Sequence, residues 1–96
     1  MNIIFHPAAE AEQEAAAIWY ESKKPRLGAE FREEVENTLD RILAAPDSFI
    51  CIENDIRSLT IHRFPYRVLY KVYPDFIFIC AVMHLHRDPD YWKSRV

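Results

Sequence analysis

The stretch Tyr66-Arg67-Val68-Leu69-Tyr70-Lys71-Val72-Tyr73-Pro74-Asp75-Phe76-Ile77-Phe78-Ile79-Cys80-Ala81-Val82-Met83-His84 decides the fold. Two runs rich in β-branched and aromatic residues are separated by Pro74-Asp75, where proline presets turn geometry and aspartate tolerates it. A tight hairpin with Tyr73 opposite Phe76 is predicted. In the first run Tyr66, Val68 and Tyr70 alternate with Arg67, Leu69 and Lys71, so one face carries basic side chains. In the second both alternating sets are apolar: Ile77, Ile79, Ala81 and Met83 on one face, Phe76, Phe78, Cys80 and Val82 on the other. That strand is therefore expected to be covered on both sides. Its apolar run, Phe76 to Met83, is far shorter than the roughly 20 residues a membrane-spanning helix needs.

Working outward, residues 56–64 have the same β character, which predicts three sequential antiparallel strands over 56–64, 66–73 and 76–84. Upstream of Pro46 the period is helical. His6-Pro7 opens one helix that ends at Lys23-Lys24 before Pro25, with Glu10, Glu12 and Glu14 near its positive end. Its packing face is expected along Ala8, Ala11, Ala15, Ile18 and Ser22. A second helix is expected from about Ala29 to Ala44, with Phe31, Val35, Leu39 and Ile42 as its buried stripe. The connection around Pro25 and Gly28 makes the two an antiparallel hairpin. Asn2 to Phe5 is a short first strand. The predicted class is α+β: an N-terminal strand, then a two-helix hairpin packed on a small, mainly antiparallel sheet, in one domain over residues 1–96.

Composition narrows the function classes. The 96 residues carry 12 Lys+Arg and 15 Asp+Glu for a formal net charge of −3, and half are hydrophobic. Intrinsic disorder is excluded as the default. Residues 1–48 hold 5 basic and 10 acidic side chains against 7 and 5 in the remainder, and Arg57, Arg63, Arg67 and Lys71 follow one another with no anion between Arg57 and Pro74. That segment presents a local positive surface on an acidic protein. A chain this short buries only about 60–65% of the surface exposed when unfolded, so a dimer or partner interface helps it. Cys51 and Cys80 are expected to be reduced core thiols, with no zinc-type pairing. No basic, apolar leader opens the sequence, so the cytoplasm is the expected location.

Two groups of side chains bear on function. Arg57, Arg63 and Arg67, fixed on neighbouring strands, have the fork geometry that binds phosphate or carboxylate, or else they pair with Asp88 and Asp90 at the surface. The terminal run His84-Leu85-His86-Arg87-Asp88-Pro89-Asp90-Tyr91-Trp92 offers two histidines on one strand face, an acid–base pair more readily than a metal site, since further ligands are missing. Tyr91 and Trp92 stack on a base, anchor a protein partner, or fold back to cap the sheet. His6 and His62 have structural readings. A single glycine cannot build a phosphate-cradling loop, and no serine or cysteine has a nucleophile's setting. No cofactor or metal is expected.

The segment Arg63-Phe64-Pro65-Tyr66-Arg67-Val68-Leu69-Tyr70-Lys71-Val72, followed by Ala81 to Trp92, resembles the RelE/ParE superfamily of toxins from bacterial type II toxin–antitoxin modules, of the plasmid-stabilisation type. The resemblance extends through the first strand, Pro7, Trp19-Tyr20, Leu27-Gly28, Phe31 and Pro46. It implies a growth-inhibiting toxin neutralised by a cognate antitoxin, as a homodimer or in a toxin–antitoxin hetero-oligomer. Its branches diverge in target. A RelE-like chain cleaves messenger RNA at the ribosome, and by position Arg67 matches a phosphate-clamping arginine, Arg87 a second arginine on the last strand and Tyr91 a C-terminal tyrosine. The lysines of that branch are absent on the strand of Arg57, with only Lys71 nearby, so His84 or His86 would stand in as the base, with Glu53 as acid–base partner. A ParE-like chain poisons DNA gyrase by protein–protein binding. The Phe-Pro-Tyr opening and His-x-His-Arg-Asp-Pro-x-Tyr-Trp ending resemble the ParE side, and the net negative charge disfavours ribosome docking. On that favoured reading Arg57, Arg63, Arg67, His86, Arg87, Tyr91 and Trp92 contact partners. A third outcome is a toxin-fold binding module without activity.

Overall fold

Backbone pairing follows the periodicities. In the computed structural model, which describes residues 1–96, β1 (Asn2–Phe5) leads into α1 (Pro7–Lys23) and α2 (Leu27–Ala44). Strands β2 (Cys51–Glu53), β3 (Ile56–Thr60), β4 (Tyr66–Val72) and β5 (Phe76–His84) follow, and a short 3-10 turn spans Lys93–Arg95. The sheet order is β1-β5-β4-β3-β2; β1 runs parallel to β5 and every other pair is antiparallel. Tyr73 N–H donates to the Phe76 carbonyl at 2.9 Å and their rings stack 4.8 Å apart, as the Pro74-Asp75 turn requires.

The strand expected over 56–64 stops at Thr60, because Arg63 adopts a left-handed φ of 73° and turns the chain. A strand the periodicity missed, β2, pairs with β3 across Asn54-Asp55, both at positive φ. Asparagine and aspartate tolerate that conformation, which suits a two-residue hairpin.

The helices pack on one face of the sheet. Phe31, Val35, Leu39 and Ile42 of α2 are buried as expected. For α1 the expected face is the wrong one: Ala9, Ala16 and Ala17 are buried, whereas Ala11, Ala15 and Ser22 are exposed and Ile18 is 61% exposed. Alanine on nearly every side of α1 leaves the choice to the bulky partners, and Tyr20 settles it by packing on Phe31 and Phe64, with ring centroids 5.4 and 4.8 Å away. His6 caps α1, its Nδ1 accepting from Ala8 N–H at 3.0 Å. Helix α2 starts two residues earlier than expected. Its first N–H groups are satisfied by Glu21 of α1, whose carboxylate accepts from Arg26 and Gly28 N–H, both at 3.0 Å. A Cβ on Gly28 would collide with the Ala17 carbonyl, so glycine permits this close helix approach.

Strand β5 breaks its own alternation. Leu69 pairs with Ala81 and Tyr70 with Ile79, which leaves Cys80 as the extra residue of a bulge. Parity flips there. Ile77, Ile79 and Val82 join the helix-side core, whereas Cys80, Ala81 and Met83 join Ile56, Leu69 and Trp92 on the outer face. The expected face sets for Ala81, Met83 and Val82 are therefore exchanged. Both faces of β5 are covered, one by the helices and one by the C-terminal segment. Cys80 is buried, its thiol donating to the Leu69 carbonyl at 3.3 Å, and burial pushes that thiol up to about 12. Cys51 is exposed on β2, contrary to its expected core position. No helix is long and apolar enough to cross a membrane.

Candidate functional site

The sequence-predicted arginine cluster is dispersed. Arg57 hydrogen-bonds the carbonyls of Asp47 and Phe49 at 3.1 and 2.7 Å, and thereby holds the loop into β2. Arg63 turns to α2, pairing with Glu30 at 2.8 Å and standing 3.9 Å from Glu34. Only Arg67 stays on the outer face. Its neighbours Tyr66 and Val68 pack with the helix-side core, so alternation directs Arg67 the other way, where its guanidinium reaches Met83 Sδ at 3.8 Å and its Nε is buried with no partner. Lys71 lies over the Tyr73 ring.

Arg87 is not on the last strand, which ends at His84, but in the turn after it. There it meets a centre the sequence did not announce. Strand β1 ends at Phe5, opposite Ile79, so the same edge of β5 has no backbone partner further on. Helix α1 supplies one. Glu12 accepts from Val82 N–H at 3.0 Å, from both terminal nitrogens of Arg95 at 3.0 Å, and from Arg87 at 3.1 Å. Arg95 in turn donates to the Cys80 carbonyl at 3.0 Å. A carboxylate and a guanidinium thus replace the missing strand, meeting the demand that buried backbone groups be paired. Tyr91 lies between the cations, its ring 3.6 Å from the Arg87 guanidinium and 4.9 Å from that of Arg95. Its phenol oxygen is buried, and burial first, then the Glu12 carboxylate, holds its pKa above the usual tyrosine range.

Trp92 closes the outer face. At 2% exposure, with its indole N–H donating to the Pro89 carbonyl at 2.6 Å, it is a sheet cap and not an exposed contact residue. Of the three roles open to Tyr91-Trp92, capping is the one the structure realises for Trp92. Glu53 pairs with Lys93, its two oxygens 3.2 and 3.0 Å from Nζ, and contacts no histidine.

His84 and His86 do come together, with ring centroids 5.4 Å apart and His86 N–H donating to His84 Nδ1 at 3.1 Å. No third ligating side chain joins them. His84 and Arg87 line a hollow of about 560 Å³ between α1 and the ends of β4 and β5, with Glu12, Ala15, Ala16, Trp19, Tyr20, Pro65, Tyr66 and Val82. Arg67 is not in that lining. Arg67 and Arg87 therefore share no hollow: Arg67 contacts Met83 on the outer face, whereas Arg87 lines the hollow and stacks on Tyr91.

A family model described as the ParE toxin of the type II toxin–antitoxin system parDE matches residues 3–89. The chain belongs to the ParE toxin family. A structure of the chromosomal ParDE toxin–antitoxin system from P. aeruginosa is similar, with a TM-score of 0.66 and 17% identity, over 90% of this chain and 97% of that one. The isolated E. coli RelE toxin is similar with a TM-score of 0.65 and 19% identity, over 98% of this chain and 94% of that one. Those likenesses establish the fold. No curated protein sequence matches. In this ParE-family chain the residues that sequence reasoning passed over are Glu12 and Arg95. Glu12 looked like one of several acidic residues at a helix start, and nothing local in Lys93-Ser94-Arg95 tells that Arg95 reaches back 83 positions.

Proposed function

We propose that this chain, the toxin of a type II toxin–antitoxin module, acts on DNA gyrase by protein–protein binding, without hydrolytic chemistry of its own, and that a cognate antitoxin neutralises it. The observation that carries the reading is the separation of groups that cleaving a phosphodiester requires within one hydrogen-bond network of roughly 3 Å contacts. Arg67 lies on the outer face with Met83, His84 and Arg87 lie at the hollow, and the Tyr91 hydroxyl is buried. A tyrosine with a raised pKa and a buried oxygen is a poor proton shuttle for an RNA chain. The overall charge of −3 adds to this, since docking among ribosomal phosphates rewards cations.

Induced expression with parallel readouts of RNA integrity and DNA damage tests the proposal. Gyrase-linked DNA breaks with continued translation, together with inhibition of purified gyrase, are expected. Cleavage of ribosome-bound messenger RNA that Arg67→Ala abolishes would overturn it in favour of the RelE-like reading. Expression that arrests growth by neither route would leave a toxin-fold binding module.

A further inference from the structure

We infer that strand β2 joins a second copy of this chain edge to edge, antiparallel about a two-fold axis at Cys51, so that the two sheets run on as one. Strand β2 is an outer strand and no strand lies beyond it. Ser58 N–H donates to the Ile50 carbonyl at 3.0 Å, and Cys51 stands opposite Arg57. In an antiparallel ladder those two facts turn the Cys51 N–H and C=O away from β3. The edge therefore presents a donor and an acceptor on one residue. Sheet edges are commonly guarded by charge or proline, yet Ser48-Phe49-Ile50-Cys51-Ile52 has neither.

The side chains say which strand fits. Ile50 is 70% exposed and Ile52 37%, and their spacing of two puts them on one face. The residues on either side of Cys51 are the same. A two-fold axis normal to the sheet at Cys51 therefore sets Ile50 directly opposite the partner's Ile52, and Ile52 opposite the partner's Ile50, while the two Cys51 residues exchange both backbone hydrogen bonds. That symmetry selects a second copy over an unrelated strand, because β2 itself presents Ile-Cys-Ile in the opposite direction at the same spacing. Charge does not oppose the contact. Glu53, the one ionised side chain on β2, has its two oxygens 3.2 and 3.0 Å from Lys93 Nζ, so the copies meet without an unpaired like charge. The hollow beside α1 is lined by no residue of β2 or β3 and stays open in both copies. Four isoleucines and two hydrogen bonds make an interface below the roughly 1,200 Å² of standard complexes, so the dimer is weak and its population depends on concentration.

Sedimentation velocity of the full reduced chain, over about a hundredfold range of concentration, reads the association. A monomer–dimer equilibrium is expected. Ile50→Lys places a charge in the contact and is expected to weaken the dimer at least about tenfold. Cys51→Ser, which keeps the backbone groups, and Ile4→Lys, on the opposite edge strand β1, are expected to stay within about twofold of the parent. All three positions are exposed, so the variants keep the fold. A thiol oxidant, diamide, checks the register. The paired Cys51 Cα atoms lie about 5.5 Å apart, inside the disulfide range of about 4.4–6.8 Å. As the S–S bond forms, the two thiols give two protons and two electrons to diamide. A covalent dimer on a non-reducing gel is expected from the parent, at least about tenfold more slowly from Ile50→Lys, and not from Cys51→Ser. A parent that stays monomeric throughout overturns the inference and leaves the edge to a strand of another protein. Association unchanged in Ile50→Lys, or lost in Ile4→Lys, also overturns it, and a dimer that diamide fails to cross-link refutes the axis at Cys51.

Discussion

Replacing Glu12 probes the centre that closes the sheet edge. In Glu12→Ala the Arg95 guanidinium, whose side chain is 12% exposed, loses its carboxylate, and Val82 N–H is left without an acceptor. Breaking a buried ion pair from one side costs about 3–5 kcal/mol, and an orphaned buried N–H about 1–3 kcal/mol. The two overlap, since water entering the gap serves both, so about 3–4 kcal/mol is the expected loss. That is a large share of the roughly 5–15 kcal/mol typical of a domain. At about 4–8 °C per kcal/mol, the melting temperature should fall by roughly 15–30 °C. Glu12→Gln keeps an acceptor for Val82 and should lose about half as much. Urea unfolding followed by circular dichroism gives the values, and a double-mutant cycle with Arg95→Met isolates the pair. Glu12→Ala losing under about 1 kcal/mol, or a coupling energy near zero, would refute the idea that this carboxylate stands in for a missing strand.

Four further outcomes follow from the same packing. Trp92→Ala opens a void against Ile56, Leu69, Cys80, Ala81 and Met83 and should cost about 3–5 kcal/mol in denaturant unfolding. Gly28→Ala drives a methyl into the Ala17 carbonyl and should destabilise by about 1–3 kcal/mol, against the gain that alanine brings to an open helix site. A thiol reagent should titrate one cysteine per native chain, the exposed Cys51, and both only after unfolding; two fast thiols in the native state would contradict the burial of Cys80. The Cys80 thiol is raised from 9.0 to about 12, so the folded chain holds that proton more tightly than the unfolded one. Its contribution is fully present below pH 9 and is lost as pH rises toward 12, so Cys80→Ala should flatten the alkaline fall in stability measured between those limits.

Local pattern made much of the fold legible. The Pro74-Asp75 turn, the β-rich runs on either side and the buried stripe of α2 are all properties of neighbouring residues, and each appears where expected. Strand β2 was missed because three residues are too few to show a period, although Asn54-Asp55 is a hairpin signal. The α1 face was misread because alanine at positions 8, 9, 11, 15, 16 and 17 makes several faces look alike. Within the candidate site, His84, His86 and Arg87 were legible as a cluster by their adjacency. That Arg67 and Arg87 share no hollow was not, since it depends on the sheet face Arg67 takes and on how the turn after β5 folds back.

The amino-acid order is enough to establish the class of the fold, its family, and which segments become helix or strand, because turn chemistry and hydrophobic period act over a few residues. The Cys80 bulge, the C-terminal cap and the engagement of Glu12 by Arg87 and Arg95 arise only once the chain is packed. They answer demands set by distant parts of the chain: an unpaired edge of β5 that needs an acceptor and a donor, and an apolar outer sheet face that needs covering. Those demands exist in no local window, so the surface offered to partners is settled by tertiary contact.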